Sequence, residues 1–133
     1  MKYPKPNTTP LGRDAIAGAL PKRELVLLES ILDETDLYCV ERTGTTIDVG
    51  SWIKKRRVCA CATNFELVLI AAGREAYAER IPFSNLYQSE YNHVTGEVAL
   101  APAVDTQISG LKMEPLKAMA FLALIHKENM QNA

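Results

Sequence analysis

The sequence predicts a small, mostly β domain that ends in one α-helix, and three observations lead to this fold class. Residues 81–102 contain apolar and aromatic runs on either side of the turn pair Thr95-Gly96, which indicates a hairpin. Further short runs of this kind occupy the chain from residue 37 onward. Residues 116–127 then form a helical pattern with a broad apolar surface, so we expect this helix to cover the sheet.

Length and composition favour one folded domain. The chain has 133 residues, of which 47% are hydrophobic, and this is enough for a single core. With 15 basic and 16 acidic side chains the formal charge is -1, so no long-range field attracts nucleic acid, and we expect no nucleic-acid partner. The longest apolar runs are far shorter than the roughly 20 residues of a membrane-spanning helix, so the chain is not expected to be transmembrane.

The first part of the chain is predicted from its prolines and glycines. Residues 1–10 carry three prolines and residues 11–20 two glycines, so we predict a flexible segment over residues 1–20, with a short helix in 11–20 as an open alternative. Residues 21–130 are predicted to form the single domain. The apolar run at residues 25–32 suits either a helix or a strand, and its leucine and glutamate content favours a helix.

Two hairpins are predicted next. Residues 37–42 and 45–49 flank Thr43-Gly44, a turn pair, and read as the first hairpin. Residues 57–63 and 66–72 form the second, across Asn64-Phe65, because asparagine tolerates the left-handed backbone of a tight turn.

Three further strands and the closing helix follow. A strand over residues 75–81 ends at Pro82, which cannot donate to a ladder. Strands are then expected over 87–94 and 97–101, with a short edge segment in 106–112. The closing helix is predicted to open at Glu114-Pro115, since proline is tolerated in a first helical turn.

Several of these segments resemble the bacterial pleckstrin-homology-like (PH-like) domains. Ala62-Thr63-Asn64 followed by the strand at residues 66–70 is similar to a threonine, polar turn and apolar strand common in that family. The segment I-P-F-S-N-L at residues 81–86 resembles another of its motifs, and residues 87–102 correspond to the hairpin before its closing helix. The resemblance covers residues 37–127.

The resemblance implies a bent antiparallel barrel or sandwich of seven strands in two nearly orthogonal layers, with one helix in its open end. It leaves open whether residues 25–32 supply the first strand. Members of the family mostly lack a basic inositol-phosphate motif, and several look like self-assembling or scaffold modules. The resemblance therefore implies a binding function without chemistry.

The densest charge run is a candidate binding site. Lys54, Lys55, Arg56 and Arg57 follow Trp52, an aromatic ring suited to interfaces, and together they could hold phosphate groups of a lipid or another anion. The alternative is a solvated loop that enters a strand, in which neighbouring side chains point to opposite faces.

Aromatic residues give a second candidate. Tyr87 and Tyr91 could form an exposed binding face, whereas Tyr77 and Phe83 are better explained as core.

The titratable residues do not predict a catalytic centre. His93 lies near Ser89 in sequence, but a serine nucleophile needs a strained turn and an oxyanion pocket, which the sequence does not indicate. A small hydrolase around His93 is kept as a remote alternative. Cys59 and Cys61 could join His93 at a metal, yet zinc takes about four ligands, so we expect buried thiols and no metal or other cofactor.

The predicted function is a non-catalytic PH-like binding or scaffold domain that acts through protein contacts, including self-association by strand edges or the terminal helix. An anion- or lipid-headgroup-binding module is the alternative. An odd number of cysteines and no charged-then-apolar leader favour a reducing, cytoplasmic compartment.

Overall fold

The computed structural model describes residues 3–32, 35–50, 54–102 and 105–127 of the chain. Three α-helices and seven β-strands lie within them. In chain order these are α1 (Arg13–Ala19), α2 (Lys22–Ile31), β1 (Cys39–Ile47), β2 (Arg56–Ala62), β3 (Glu66–Ala71), β4 (Tyr77–Pro82), β5 (Glu90–Asn92), β6 (Glu97–Ala99), β7 (Gly110–Lys112) and α3 (Pro115–Ile125).

The strands form two antiparallel sheets, and within each sheet the strands are hydrogen-bonded in their sequence order. The first sheet has the order β1-β2-β3-β4 and the second has the order β5-β6-β7. The prediction of a mostly β fold with a C-terminal helix is therefore confirmed. The two sheets are not closed into a barrel, because hydrogen-bonded pairing stops at the outer strands of each sheet.

The side chain of Thr45 joins the sheets at their β1 and β7 edges. The hydroxyl of Thr45 donates to the carbonyl oxygen of Gly110 at 3.3 Å and accepts from the amide of Lys112 at 2.9 Å. Gly44 permits this approach, since a Cβ there would lie 3.2 Å from the Cβ of Lys112. Thr45 thus takes the place of backbone pairing at this corner.

The predicted hairpin over residues 37–49 is wrong. β1 runs through Thr43-Gly44 as one strand paired with β2, and the register shifts between Arg42 and Thr46. Thr43 is buried, and its hydroxyl donates to the carbonyl of Val58 on β2 at 2.7 Å. This cross-strand bond holds the segment against β2, so that the pair forms a bulge instead of a reversal.

The second predicted hairpin is confirmed, but by a different turn mechanism. β2 and β3 pair from Ala62 with Leu67 onward. The Thr63 hydroxyl accepts from the amides of Phe65 and Glu66 at 3.2 and 3.0 Å, and Asn64 does not adopt a left-handed backbone. The turn is therefore stabilised by a threonine side chain.

The later elements follow the prediction with shorter strands. β4 ends at Pro82 as expected, and a 3-10 turn over Phe83–Asn85 comes after it. Tyr87 lies in a turn, and β5 begins only at Glu90. Gly96 has a φ of +72° in the β5–β6 turn, which agrees with the predicted turn pair Thr95-Gly96.

The core lies between the two sheets and α3. Apolar side chains of β2, β3, β6, β7 and α3 belong to one buried cluster. The buried members on these elements are Val58, Ala60, Ala62, Leu67, Leu69, Ala71, Val98, Leu111, Ala118, Phe121, Leu122, Leu124 and Ile125. α3 starts at Pro115 after Glu114, as predicted, and its most exposed apolar side chain is Leu116, at 85%.

The outer face of the first sheet carries a second apolar layer. Cys59, Cys61, Val68 and Ile70 pack there against Leu28 and Leu32 of the α2 region. β3 is consequently buried at every position, which explains its unbroken apolar sequence. Residues 25–32 belong to a helix, as their composition favours, and do not supply a strand.

The N-terminal segment lies along the surface of this core. The ring of Tyr3 stacks on His126 with centroids 5.1 Å apart, and the Asn7 side-chain amide donates to the carbonyl of Tyr38 at 3.1 Å. The amide of Leu11 donates to the carbonyl of Leu37 at 2.7 Å. α1 has no buried residue. The division of the chain at residue 20 stays a prediction.

One buried ion pair fixes α2 on the sheet. Glu24 is 1% exposed, and its carboxylate accepts two hydrogen bonds from the Arg56 guanidinium, each 2.6 Å long, and one from the Ala72 amide at 2.8 Å. Burial acts to raise the pKa of Glu24, but the bonds from Arg56 and Ala72 outweigh it and hold that pKa below its ordinary value.

We predict that Glu24→Ala lowers the free energy of unfolding by about 2–4 kcal/mol, because the Ala72 amide loses its acceptor and Arg56 its counter-charge. Urea denaturation measures the difference. Glu29→Ala, on the exposed side of the same helix, is the control and should change the free energy by less than about 0.5 kcal/mol. Equal effects of the two substitutions would contradict a structural role for the Glu24 contacts.

The same carboxylate predicts a pH dependence. Because the pKa of Glu24 is lowered in the folded state, its stabilising effect is complete above the unfolded pKa of about 4.3 and is lost as the pH falls through the folded pKa. The stability difference between the wild type and Glu24→Ala should therefore shrink below about pH 4. A difference that stays constant across this range would show that the charge of Glu24 is not involved.

Candidate binding surfaces

The basic run at residues 54–57 is divided by the fold. Trp52 lies outside the described residues, and Lys54 and Lys55 are exposed. Arg56 turns toward α2 and pairs with Glu24. Arg57 lies over the β1 bulge, where its Nε donates to the Thr43 carbonyl at 2.7 Å and its Nη2 to the Arg42 carbonyl at 3.0 Å.

Arg57 has different cationic neighbours from those the sequence suggests. It lines a groove of about 440 Å³ together with Arg42 of β1 and Lys112 of β7. Glu41 and Glu114 line the same groove, beside the backbone of Thr95 and Gly96. We call this the β1–β7 groove. Sequence reasoning missed it, because the pairing of β1 with β2 brings residues 42 and 57 together, and the approach of β1 to β7 adds residue 112.

The two candidate tyrosines occupy different environments. Tyr87 is 54% exposed and lies in the turn before β5. Tyr91 is half-buried, and its hydroxyl donates to the Met113 carbonyl at 3.1 Å. The rings of Tyr91 and His93 are nearly perpendicular, with centroids 4.8 Å apart. Tyr77 and Phe83 are buried in the core, as expected.

Ser89, which the hydrolase alternative places near His93, makes hydrogen bonds to the backbone. Ser89 is fully buried, and its hydroxyl donates to the carbonyl of Ala101 and accepts from the amide of the same residue. Its own carbonyl accepts from Nε2 of His126 at 2.8 Å. His93 is exposed. The Ser89 hydroxyl thus links the start of β5 to the end of the β6 segment.

The cysteines are buried to different degrees. Cys59 and Cys61 lie on the outer face of the first sheet beneath α2, and Cys39 is half-buried. Burial raises the pKa of Cys39 and Cys59 to about 11 and that of Cys61 still further. No group of three or more possible metal ligands occurs among the described residues.

We predict that these thiols are poorly reactive in the folded protein. With a pKa near 11 for Cys39 and Cys59, the thiolate fraction at mildly alkaline pH is about 100-fold below that of a free cysteine. Labelling with an aromatic disulfide reagent should be slow in buffer, and all three thiols should react at once in urea. A thiol that reacts rapidly in buffer would contradict the burial of that cysteine.

A further concave surface is apolar and is lined by α2 and the β3–β4 turn. Val26, which is 61% exposed, and Leu27 form one wall, and Ala72, Gly73 and Ala76 form a floor of small residues at the β3–β4 turn. Lys22 and Arg23 stand at one end of this groove of about 440 Å³. We call it the α2 groove.

Comparison with protein-family models, curated proteins and solved structures finds no match for this chain. None of the helices in the described ranges is long and apolar enough to cross a membrane.

Proposed function

We propose that this chain is a non-catalytic PH-like domain that acts through protein contacts and associates with a second copy of itself. The arrangement of β1–β4 in one sheet, β5–β7 in the other and a closing helix supports the PH-like assignment. Phe121, Leu122, Leu124 and Ile125 of α3 are buried in one cluster with side chains of both sheets, which supports a partner site on the outer surface.

The observation that carries the self-association is the exposed apolar side chain of Val26 on α2. Val26 is 61% exposed on a ten-residue helix, and it stands directly beside the small residues of the α2 groove. A protruding apolar side chain next to a shallow apolar recess is self-complementary, as a two-fold dimer requires.

Charge along α2 favours an antiparallel pair of these helices. Lys22 and Arg23 are exposed in the first turn, and Glu29 is exposed near the last. With Val26 at the two-fold axis, residues three or four positions on either side of it face each other, since helical neighbours recur at that spacing. Lys22 of one copy then lies beside Glu29 of the other. The proposed interface therefore differs from the strand edges and the terminal helix.

This contact is small, because a ten-residue helix is only about 15 Å long. We expect weak association, with a dissociation constant on the order of 100 µM, as for interfaces at the low end of the size range.

Light scattering after size-exclusion chromatography tests the proposal over a range of concentrations. The wild type should become dimeric as its concentration rises, and Val26→Asp should stay monomeric because a charge replaces the central apolar contact. Val94→Asp is the control, since Val94 is 95% exposed in the β5–β6 turn, away from α2. A wild type that is monomeric at every concentration would contradict self-association.

A charge exchange tests the antiparallel orientation separately. Lys22→Glu and Glu29→Lys should each weaken the dimer by about threefold to tenfold, and the double variant should recover most of that loss. A dimer that is equally weak in the double variant and the single variants would argue against the pairing of Lys22 with Glu29.

A further inference from the structure

We infer that the β1–β7 groove binds a phosphate group. Its three cations come from three different strands, with Arg42 on β1, Arg57 on β2 and Lys112 on β7. The groove volume, about 440 Å³, falls in the range of small-molecule sites. This site is separate from the α2 groove and goes beyond the proposed self-association.

The guanidinium of Arg57 is held in one orientation by hydrogen bonds to the backbone. Its Nε and Nη2 donate to the carbonyls of Thr43 and Arg42, which fixes the plane of the guanidinium against the β1 bulge. These two bonds use only two of the five N–H groups of an arginine, so further donors remain. Because the side chain is already ordered, less conformational entropy is lost when a ligand binds.

The backbone of Lys112 is fixed where β1 approaches β7. Its amide donates to Thr45, and its Cβ lies beside Gly44, so the base of the side chain is set by the junction of the two sheets. Arg42 precedes the bulge and is exposed. A phosphate has three oxygens that accept charge-assisted hydrogen bonds, which suits two guanidinium groups and one ammonium group.

The two carboxylates in the groove set the balance of charge. Glu41 already has a counter-charge, since Lys117 Nζ lies 3.7 Å from its carboxylate. Glu114 precedes α3, and its side chain makes no capping hydrogen bond. The negative charge of Glu114 therefore repels an anion in the groove, and its side chain does not cap α3.

Removal of a cation from the groove should therefore weaken phosphate binding, and removal of the Glu114 charge should strengthen it. Binding of inorganic phosphate and pyrophosphate is measured by calorimetry at low ionic strength, where screening is weakest. Arg42→Gln and Lys112→Gln should each weaken binding by about 10-fold, because each removes a charge-assisted bond. Glu114→Gln should tighten binding. Arg57 is left unchanged, since its loss would also disturb the β1 bulge.

Matched controls come from the exposed lysines of the basic run. Lys54→Gln and Lys55→Gln change the net charge by the same amount outside the groove, and they should leave the affinity within about twofold. Thermal unfolding of each variant confirms that it is folded.

A parallel experiment with vesicles identifies the source of the phosphate. Equimolar phosphatidylcholine and phosphatidic acid vesicles are compared with pure phosphatidylcholine vesicles. Binding of the soluble anions in the expected variant order supports a free ligand, and binding of the acidic vesicles alone in that order supports a lipid headgroup. The inference is overturned if neither probe binds, if the controls weaken binding as much as Arg42→Gln, or if Glu114→Gln weakens it.

Discussion

The burial of α3 in the core that both sheets share is the constraint on which the rest of the structure depends. The second sheet has three strands of three residues each, and such short strands are not stable without an apolar surface to cover them. α3 supplies that surface through Phe121, Leu122, Leu124 and Ile125, which lie in one buried cluster with side chains of both sheets. One helix thereby joins two sheets that meet at their β1–β7 corner through the side chain of Thr45.

The outer face of the first sheet explains where the proposed binding surface lies. α2 covers it with apolar side chains, and the carboxylate of Glu24 sets the position of the helix by accepting bonds from both Arg56 and the Ala72 amide. A helix fixed in this way presents a constant exposed face, on which Val26 lies beside the β3–β4 turn. The β1–β7 groove lies apart from this face of α2. Two surfaces of opposite character therefore arise from one packing arrangement.

The parts of the fold that depend on local chemistry could be predicted from sequence. The β2–β3 hairpin, the end of β4 at Pro82 and the start of α3 at Pro115 follow from turn residues and proline. The absence of the predicted hairpin at residues 37–49 could not be foreseen from local sequence. The hydrogen bond from the Thr43 hydroxyl to the Val58 carbonyl spans fifteen positions, and it holds this segment in a bulge paired with β2. The β1–β7 groove could not be predicted from the sequence either. The adjacent cations at 54–57 resemble one patch, yet strand geometry directs Arg56 and Arg57 to different partners, and Arg57 acquires neighbours from residues 42 and 112.

Native-state hydrogen exchange followed by mass spectrometry tests most directly whether α3 is part of the core. Amides of α3 should exchange only through the opening that also exposes β2 and β3, and with the same free energy, whereas amides of α1 should exchange much faster because that helix has no buried residue. Exchange of α3 amides at a rate similar to α1, while β2 and β3 stay protected, would contradict the account.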